Sequence, residues 1–391
     1  MKHYHSIDEV TLSGLTPRAA QCWRSVRLVP LVRTKPVPHL RIARVRTDDE
    51  LTITRLSAHT AHPEREVAFV SVVPHAFVVG WGEEAEAEVN QGVAFVRERD
   101  GHRFHSGGCS IAVKLRMARR ASDKSLRFVP QQLAVEGLLS LFFAGPDVAS
   151  RDWSERLLRR GLDPRVERAV SGRSMEHLAD ALRVFEVLEG QCGMLLFFKD
   201  MLFGSFVAPT HEDYRAVHDS LVLDLFPAEL LEYAAYDAPV FKTAVDSQGV
   251  RTIADLRAAL AAQERAWAEW YSHMASGLIR DAMISSVYSM DGYRLERFVT
   301  TLARKGEHHT GERIVARDGT LAYLKSYRLG AQQARRAYLL KQLGANGWDL
   351  ARAAVDSRLT ELQFVDELRR AGFEWMLGPK VLDQIRRGAL K

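Results

Sequence analysis

The chain of 391 residues is 47% hydrophobic and 26% charged, which is ordinary for a globular protein and long enough for two domains. These fractions exclude a wholly disordered chain, a collagen-like fibre and a disulfide-stapled miniprotein. With 54 Lys and Arg against 49 Asp and Glu, the net charge of +5 gives no overwhelming signal for a polyanionic partner.

Residues 1–130 are predicted to be mainly β-structure. Short apolar or alternating runs recur at 26–32, 40–45 and 67–73, and turn residues separate them. This spacing favours an antiparallel or mixed sheet over repeated βαβ units. No phosphate-binding glycine loop follows any of these runs, so the sequence gives no sign of a nucleotide-binding motif.

From about residue 130 the periodicity becomes helical. Apolar spacing predicts a helix at 131–143 and a second that Ser174 caps and Gly190 ends, and two apolar runs around Lys199 and Asp200 predict a β-hairpin. The hairpin is the most apolar stretch of the chain, and its two charged residues leave it too short to span a membrane. Residues 1–245 are therefore predicted to form one α+β domain.

Residues 246–304 are predicted to form a helical connector whose second helix occupies 293–304. The first helix carries apolar residues at the 3-4-7-3-4 spacing of a coiled-coil seam, and Gln263 occupies the missing position. Such a seam can pair two copies of the chain, or it can pack on its own domain. Trp267 and Trp270 are its candidate partner-binding residues. The seam consists of Ile253, Leu256, Leu260, Trp267, Trp270 and Met274.

A polar linker is predicted at 305–330, and a helical module follows it at 331–379. The module contains three short helices, and Thr360 is a suitable N-cap for the third, which extends to about residue 371. A turn of three or four residues separates the last two helices. This arrangement is typical of a helix-turn-helix unit.

The run LLKQLGANGWDLARAAVDSRLTELQFVDELRRAGF, residues 339–373, resembles the Fis-type helix-turn-helix of bacterial enhancer-binding regulators. The resemblance implies a third helix that enters the DNA major groove. Arg358 replaces the turn glycine of that family, and the third helix offers carboxylates that DNA phosphates would repel. The module is therefore either a DNA reader or a protein-contact unit, and we expect protein contact. The candidate nucleic-acid-binding residues are Arg352, Arg358, Gln363, Arg369 and Arg370.

Two further stretches carry a second resemblance: VVPHAFVVGWGEE at 72–84 and ALRVFEVLEGQCGMLLFFKDMLFGSFVAPTHEDYRAVHDSLVLDL at 181–225. They are similar to the domain described as ADP-ribosylglycohydrolase-, rhodanese- and phosphatase-superfamily-associated, in its second variant. The similarity covers roughly residues 10–240. It implies an association with NAD and ADP-ribose chemistry and with bacterial conflict systems, and it carries over no reaction and no catalytic residue.

Three clusters have side chains suited to chemistry, and each also has a structural explanation. Glu84, Glu86 and Glu88 alternate, so they could bind a divalent cation or line the solvated face of a strand. The segment 102–109 contains two histidines and a cysteine, but their spacing matches no common zinc motif. We therefore predict no metal site.

The third cluster contains His211 and His218, which an acid/base site or ordinary helix packing would both explain. Cys192 lacks a neighbouring histidine and carboxylate, so we expect a buried thiol rather than a nucleophile. The catalytic residues, if the chain has any, stay undefined, and no cofactor is predicted.

The sequence thus predicts a cytoplasmic bacterial accessory protein that has no enzymatic activity. Its widely spaced cysteines suit a reducing compartment, and no secretory signal or membrane segment is visible. Its partner is expected to be a protein, with nucleic acid and self-association as further alternatives. Two other functions stay open: an enzyme that acts on a nucleotide or an ADP-ribose-like ligand, and a DNA-binding regulator with a ligand-sensing N-terminal domain.

Overall fold

The protein has an α+β fold, in which a large antiparallel sheet packs against helices and the region beyond residue 331 is helical. The predicted fold class is confirmed. The computed structural model describes residues 4–42, 54–55, 67–70, 72–73, 76–81, 87–99, 102–106, 109–113, 127–129, 131–160, 175–236, 245, 248–275, 277–303 and 306–387.

The strands of the described residues are numbered in chain order, and the longest ones belong to the large sheet. They are β1 His5–Val10, β2 Leu15–Pro17, β3 Gln21–Trp23, β4 Val26–Arg33, β5 Leu40–Ile42, β6 Thr54–Arg55, β7 Val67–Val70, β8 Val72–Val73, β9 Ala76–Trp81, β10 Ala87–Gln91, β11 Ala94–Arg99, β12 His102–Ser106, β13 Cys109–Val113, β14 Arg127–Phe128, β15 Gln191–Phe198, β16 Met201–Val207, β17 Ile279–Met290, β18 Tyr293–Thr300, β19 His309–Ala316 and β20 Leu321–Arg328.

The helices are mostly short, and none in the described part of the chain is long and apolar enough to cross a bilayer. A π-helical turn at Leu221–Leu225 and a 3₁₀ turn at Glu374–Met376 accompany them. The α-helices are α1 Gln131–Phe143, α2 Pro146–Arg160, α3 Leu178–Val184, α4 His211–Arg215, α5 His218–Ser220, α6 Pro227–Ala234, α7 Ile253–Ala275, α8 Ala331–Ala345, α9 Leu350–Asp356, α10 Glu361–Arg370 and α11 Pro379–Arg386.

The large sheet has ten strands, and nine follow the order β1-β17-β18-β19-β20-β16-β15-β4-β2, with β3 also paired to β4. Neighbours in this sheet are antiparallel throughout. Two smaller sheets have the orders β13-β10-β9-β14 and β12-β11-β7-β5, and β6 pairs with β8. The chain therefore leaves the large sheet after β4 and returns to it at β15.

The centre of the large sheet is covered on both faces. Along β4, Leu28 joins one hydrophobic core and Val29 the other, and along β15 Leu196 and Leu195 divide in the same way. This follows from the two-residue period of a strand, which directs successive side chains to opposite faces. The predicted hairpin is present as β15 and β16, and its apolar run is long because both faces are buried.

The predicted connector and linker are wrong in their secondary structure. Residues 293–304 do not form a helix, because 293–300 is strand β18; the polar stretch at 305–330 contains β19 and β20. These strands pair with β17 and β16, so one sheet crosses the predicted boundaries at 245 and 304. The first helix of the predicted connector is present as α7.

Opposite charges on neighbouring strands explain why a polar sequence is a buried part of the sheet. Glu296 on β18 lies opposite Arg313 on β19, and Arg297 lies opposite Glu312. The Nε–oxygen distances are 2.8 Å in both pairs. Because each charge has its partner on the adjacent strand, the strands tolerate burial that the charges alone would oppose.

The C-terminal helices share the first core with the sheet. Leu340 on α8, Phe364 on α10 and Phe373 after it belong to the same buried cluster as Leu28 on β4. The helical module is therefore packed onto the α+β body rather than attached to it by a linker. The predicted helices of the module are present as α8, α9 and α10.

A buried arginine on α8 joins this module to the two helices that follow the small sheets. Arg336 Nη2 donates to both oxygens of Asp152, at 2.7 and 2.8 Å, and its Nη1 donates to the carbonyl of Ala371. Its guanidinium lies 4.0 Å from the centre of the Phe373 ring and its Nε lies 3.8 Å from Glu136. A single side chain thus contacts α1, α2 and the end of α10.

Replacing Arg336 by Met should lower the free energy of unfolding by about 3–5 kcal/mol, because Asp152 would stay buried without its counter-charge. Urea denaturation measures the change. The control is Arg335→Met on the same helix, which breaks a partly exposed pair with Glu367 and should cost less than about 1 kcal/mol. Equal effects of the two substitutions would contradict this role of Arg336.

Candidate functional site

The turn between α9 and α10 has the backbone and caps of a helix-turn-helix. The hydroxyl of Thr360 accepts from the Gln363 amide at 3.2 Å, and the Gln363 side chain accepts from the Thr360 amide at 2.9 Å. This reciprocal capping box confirms Thr360 as the predicted N-cap. The side-chain oxygen of Gln363, a candidate nucleic-acid contact, is therefore occupied within the chain.

Arg358 adopts the conformation that its position in the turn requires. Its φ is 57°, in the left-handed region that glycine enters without steric cost and that other residues seldom adopt. The side chain is exposed. The turn therefore keeps its shape although arginine replaces glycine, and it presents a cation at the surface.

The other candidate arginines lie close to carboxylates of their own chain. Arg369 lies 3.7 Å from Asp366 and 3.5 Å from Glu374. Arg370 lies 3.8 Å from Glu367. These neighbours reduce the positive potential of α10, which weakens the attraction for phosphates.

Arg352, on α9, lies 3.8 Å from Asp349 at the exposed start of that helix. The same surface carries two apolar side chains that the sequence did not single out. Trp348 is 43% exposed and Val355 is 74% exposed. Arg352 and Val355 are three residues apart on α9, so they lie on the same side of that helix. Trp348 lies in the turn before α9, with φ of 67°. We name these three exposed residues the α9 stripe.

Of the two candidate partner-binding tryptophans, the structure describes the surroundings of Trp270 only. Trp270 is half-buried against the second core of its own sheet, and the guanidinium of Arg27 lies 6.0 Å from its ring. The side chain of Trp267 lies outside the described residues. Trp270 therefore packs on its own chain. Of the two alternatives for the seam, pairing of two copies or packing on its own domain, the second holds at this end.

His211 and His218 are not brought together as an acid/base pair. His218 is buried, its Nε2 lies 2.7 Å from the Phe185 carbonyl and its Nδ1 lies 2.9 Å from the Tyr214 hydroxyl. Because a carbonyl can only accept, Nε2 carries the proton, and burial lowers the pKa of the ring. His211 instead faces the Gln191 carbonyl, at 2.8 Å. Hydrogen bonding within the fold accounts for both rings.

The other candidate sites can be described only in part. Glu84, Glu86 and the side chains at 102–109 lie outside the described residues. Of the 102–109 segment, 102–106 and the strand that begins at 109 belong to different sheets. Among described residues, no group of three or more histidines, cysteines and carboxylates could hold a metal. Cys192 is buried, as predicted, and burial raises the pKa of its thiol to about 11.

A cluster that the sequence analysis missed lies where the large sheet meets α1. Arg297, Glu312 and Lys325 occupy directly opposed positions on β18, β19 and β20. A second oxygen of Glu312 accepts from the Val93 amide at 3.0 Å. The three side chains form a row across three strands, which no spacing along the chain reveals.

Lys325 is the unusual member of this row. Its side chain is almost fully buried, and desolvation lowers the pKa of its ammonium from 10.5 to about 7, although Glu312 opposes the shift. The aromatic ring of Tyr327 lies 5.9 Å from Nζ. An amine that titrates near neutral pH is a common feature of functional sites.

The backbone at 91–93 completes the cluster. Gln91 Nε2 donates to the Ala134 carbonyl at 2.6 Å, and its buried Oε1 has no hydrogen-bond partner among the described residues. Gly92 has φ of 86°, and a Cβ there would come within 2.9 Å of both Arg297 and Glu312. The cavity lined by Gln91, Gly92, Glu312 and Lys325 has a volume of about 10 Å³, which is room for about one water molecule.

Comparison with known families identifies the part of the chain that contains the small sheets and α1. The model of the ARPP-2 family matches residues 10–291. The chain belongs to the ARPP-2 family. Both stretches that carried the resemblance, 72–84 and 181–225, lie inside the match. Neither a curated protein nor a solved structure matches the ARPP-2 chain.

The ARPP-2 match ends at β17, so it divides the Lys325 cluster. Gln91 and Gly92 lie inside the matched range, whereas Arg297, Glu312 and Lys325 lie beyond it. The helix-turn-helix also lies beyond it, and no comparison bears on its resemblance to the Fis type. In this ARPP-2 chain the cluster therefore exists only because later strands extend the sheet.

Replacing Lys325 by Met should remove a pH dependence of stability. Between pH 7 and 10.5 the unfolded chain binds a proton at this lysine that the folded chain releases, so wild-type stability rises with pH, by at most about 1.4 kcal/mol per pH unit. Urea denaturation at pH 7, 8 and 9 measures this slope. Lys380→Met, at an exposed lysine, should keep the wild-type slope. A Lys325→Met protein with the wild-type slope would contradict the prediction.

Proposed function

We propose that this protein is a non-enzymatic accessory protein of a bacterial NAD- or ADP-ribose-linked or anti-phage system. In this proposal it binds a protein partner through its C-terminal helical module. The observation that carries the proposal is the α9 stripe of Trp348, Arg352 and Val355. Tryptophan and arginine are the side chains most enriched at the energetic centres of protein interfaces.

Charge also favours a protein partner over DNA. Arg369 and Arg370 lie within 4 Å of carboxylates, and the Gln363 side-chain oxygen serves the cap of its own helix. A helix that reads bases needs free donors and acceptors and a positive surface toward the phosphates. Membership of the ARPP-2 family supports the proposed NAD- or ADP-ribose-linked system, because the sequence resemblance implies an association with that chemistry.

DNA binding is the second candidate, and the turn geometry favours it. Arg358 is exposed, and no ion pair involves it among the described residues. Together with Arg352 it could contact phosphates on either side of a groove. Such binding would have little preference for a DNA sequence, because phosphate contacts position a protein without specifying bases.

The first test replaces Trp348 by Ala and Val355 by Ser together. We expect the affinity for the physiological partner to fall by about 100-fold, because two apolar side chains would no longer be buried in the complex. The partner is identified by tagged pull-down of the full-length protein from its own host and is then titrated as a purified protein. The matched control is Leu231→Ser, at an apolar residue on α6 that is 39% exposed, which should keep the affinity.

The second test is a DNA titration of the full-length protein at about 50 and 200 mM salt. We expect weak binding that changes little when Arg352 and Arg358 are both replaced by Ala. Substitutions are preferable to truncation because α8 belongs to the main core. Tight binding that falls steeply with salt and is lost in the double variant would instead support the DNA-binding regulator.

A further inference from the structure

Helix α7 is exposed along most of its length. Ile253 is 71% exposed, Leu256 42% and Leu260 49%, and none of the described side chains from 253 to 266 is buried. Contact with the body is concentrated toward the other end, where Trp270 packs on the second core. The predicted coiled-coil seam therefore divides: its C-terminal end is used within the chain, and its N-terminal end faces solvent.

Two opposite charges border the exposed part of the seam. Arg257 and Glu264 are seven residues apart, which is about 10.5 Å along the axis and nearly the same direction around it. Both are exposed, and neither has an ion-pair partner within the part of the chain that the structure describes. The separation is too large for the two side chains to pair within one helix, since such pairs need a spacing of three or four residues.

We propose that α7 binds a second copy of this chain as an antiparallel helix pair centred between Leu260 and Ala261. In this arrangement Arg257 faces the partner's Glu264, and the two-fold axis repeats the contact. A parallel pair would place each residue beside its own counterpart and would gain no such pairs. Charge complementarity therefore selects both the occupant, a second copy, and its direction.

Leu260 lies between these two ion pairs, and Leu256 and Ile253 lie just beyond them along the helix. Ile253, Leu256 and Leu260 lie on the face that Arg257 and Glu264 border, so an antiparallel partner covers all three. Gln263 occupies the next seam position, and a polar seam residue lowers the stability of a coiled coil while restricting how it pairs. A weak dimer, which forms and dissociates with concentration, follows from this short seam. It does not depend on partner binding by the C-terminal module.

Sedimentation equilibrium of the full-length protein over a range of concentrations measures the dimer. Replacing Leu256 and Leu260 by Ser should raise the dissociation constant at least about 100-fold. Both residues are exposed in the single chain, so the variant should keep the wild-type urea transition. The control pair Leu231→Ser and Tyr236→Ser removes exposed apolar groups outside α7 and should leave the dimer unchanged.

Charge reversal tests the direction of pairing. Arg257→Glu alone and Glu264→Arg alone should each weaken self-association by about tenfold, because two attractive pairs become repulsive. An equimolar mixture of the two single variants should form a heterodimer, in which both pairs are again attractive, and the double variant should again form a homodimer. In a parallel pair each residue would meet its own counterpart, so the wild type, each single variant and the double variant would all carry two like-charge pairs and associate equally, and only the mixture would associate more tightly than the wild type.

A protein that sediments as a monomer at every concentration would overturn the proposal. So would a dimer that tolerates the double serine variant, since its interface would lie elsewhere. A dimer that is lost with the serines but is indifferent to charge reversal would overturn the antiparallel arrangement.

Discussion

The buried guanidinium of Arg336 is the constraint on which the arrangement of the C-terminal half depends. An unpaired charge at this depth would cost several kcal/mol, so the arginine is tolerated only because every direction around it is filled. Asp152 on α2 supplies the counter-charge, the carbonyl at the end of α10 accepts a further hydrogen bond, and the Phe373 ring stacks on the flat face. The position of α8 is therefore tied to α2 and to the end of α10.

This anchoring changes what the helix-turn-helix can do. A DNA-binding module that is joined by a flexible linker can reorient to follow the DNA groove. Here α8 is instead part of the main core, and α10 ends against Arg336. A partner must therefore approach a surface that the whole body orients. The α9 stripe meets that requirement, because Trp348 before the helix and Val355 on it are both exposed.

Local patterns in the sequence predicted the elements whose contacts are local. The helix at 131–143, the hairpin around Lys199 and Asp200, and the Thr360 cap all depend on neighbours within a few residues. The predicted helix at 293–304 failed because the partner charges of Glu296 and Arg297 lie on the next strand. In the sequence alone these charged residues resemble the solvent-exposed face of a helix. Only the pairing of β18 with β19 shows that they form buried ion pairs within the sheet.

The same limit explains the candidate sites. Lys325 is buried because α1 and the turn at 91–93 cover its strand, and these segments are more than 180 positions away in the chain. A lysine in a polar stretch carries no local sign of a lowered pKa. The cluster instead combines residues inside and outside the range that the ARPP-2 family model matches.

The seam of α7 shows how one pattern can serve two contacts. Its regular spacing is compatible with pairing between two chains and with packing within one chain. A helix of 23 residues is about 34 Å long, so its two ends can lie in different surroundings. Trp270 meets the sheet while Leu256 and Leu260 stay exposed. Periodicity identifies the face of a helix that is apolar, but where the body ends along that face decides which residues remain available to a partner.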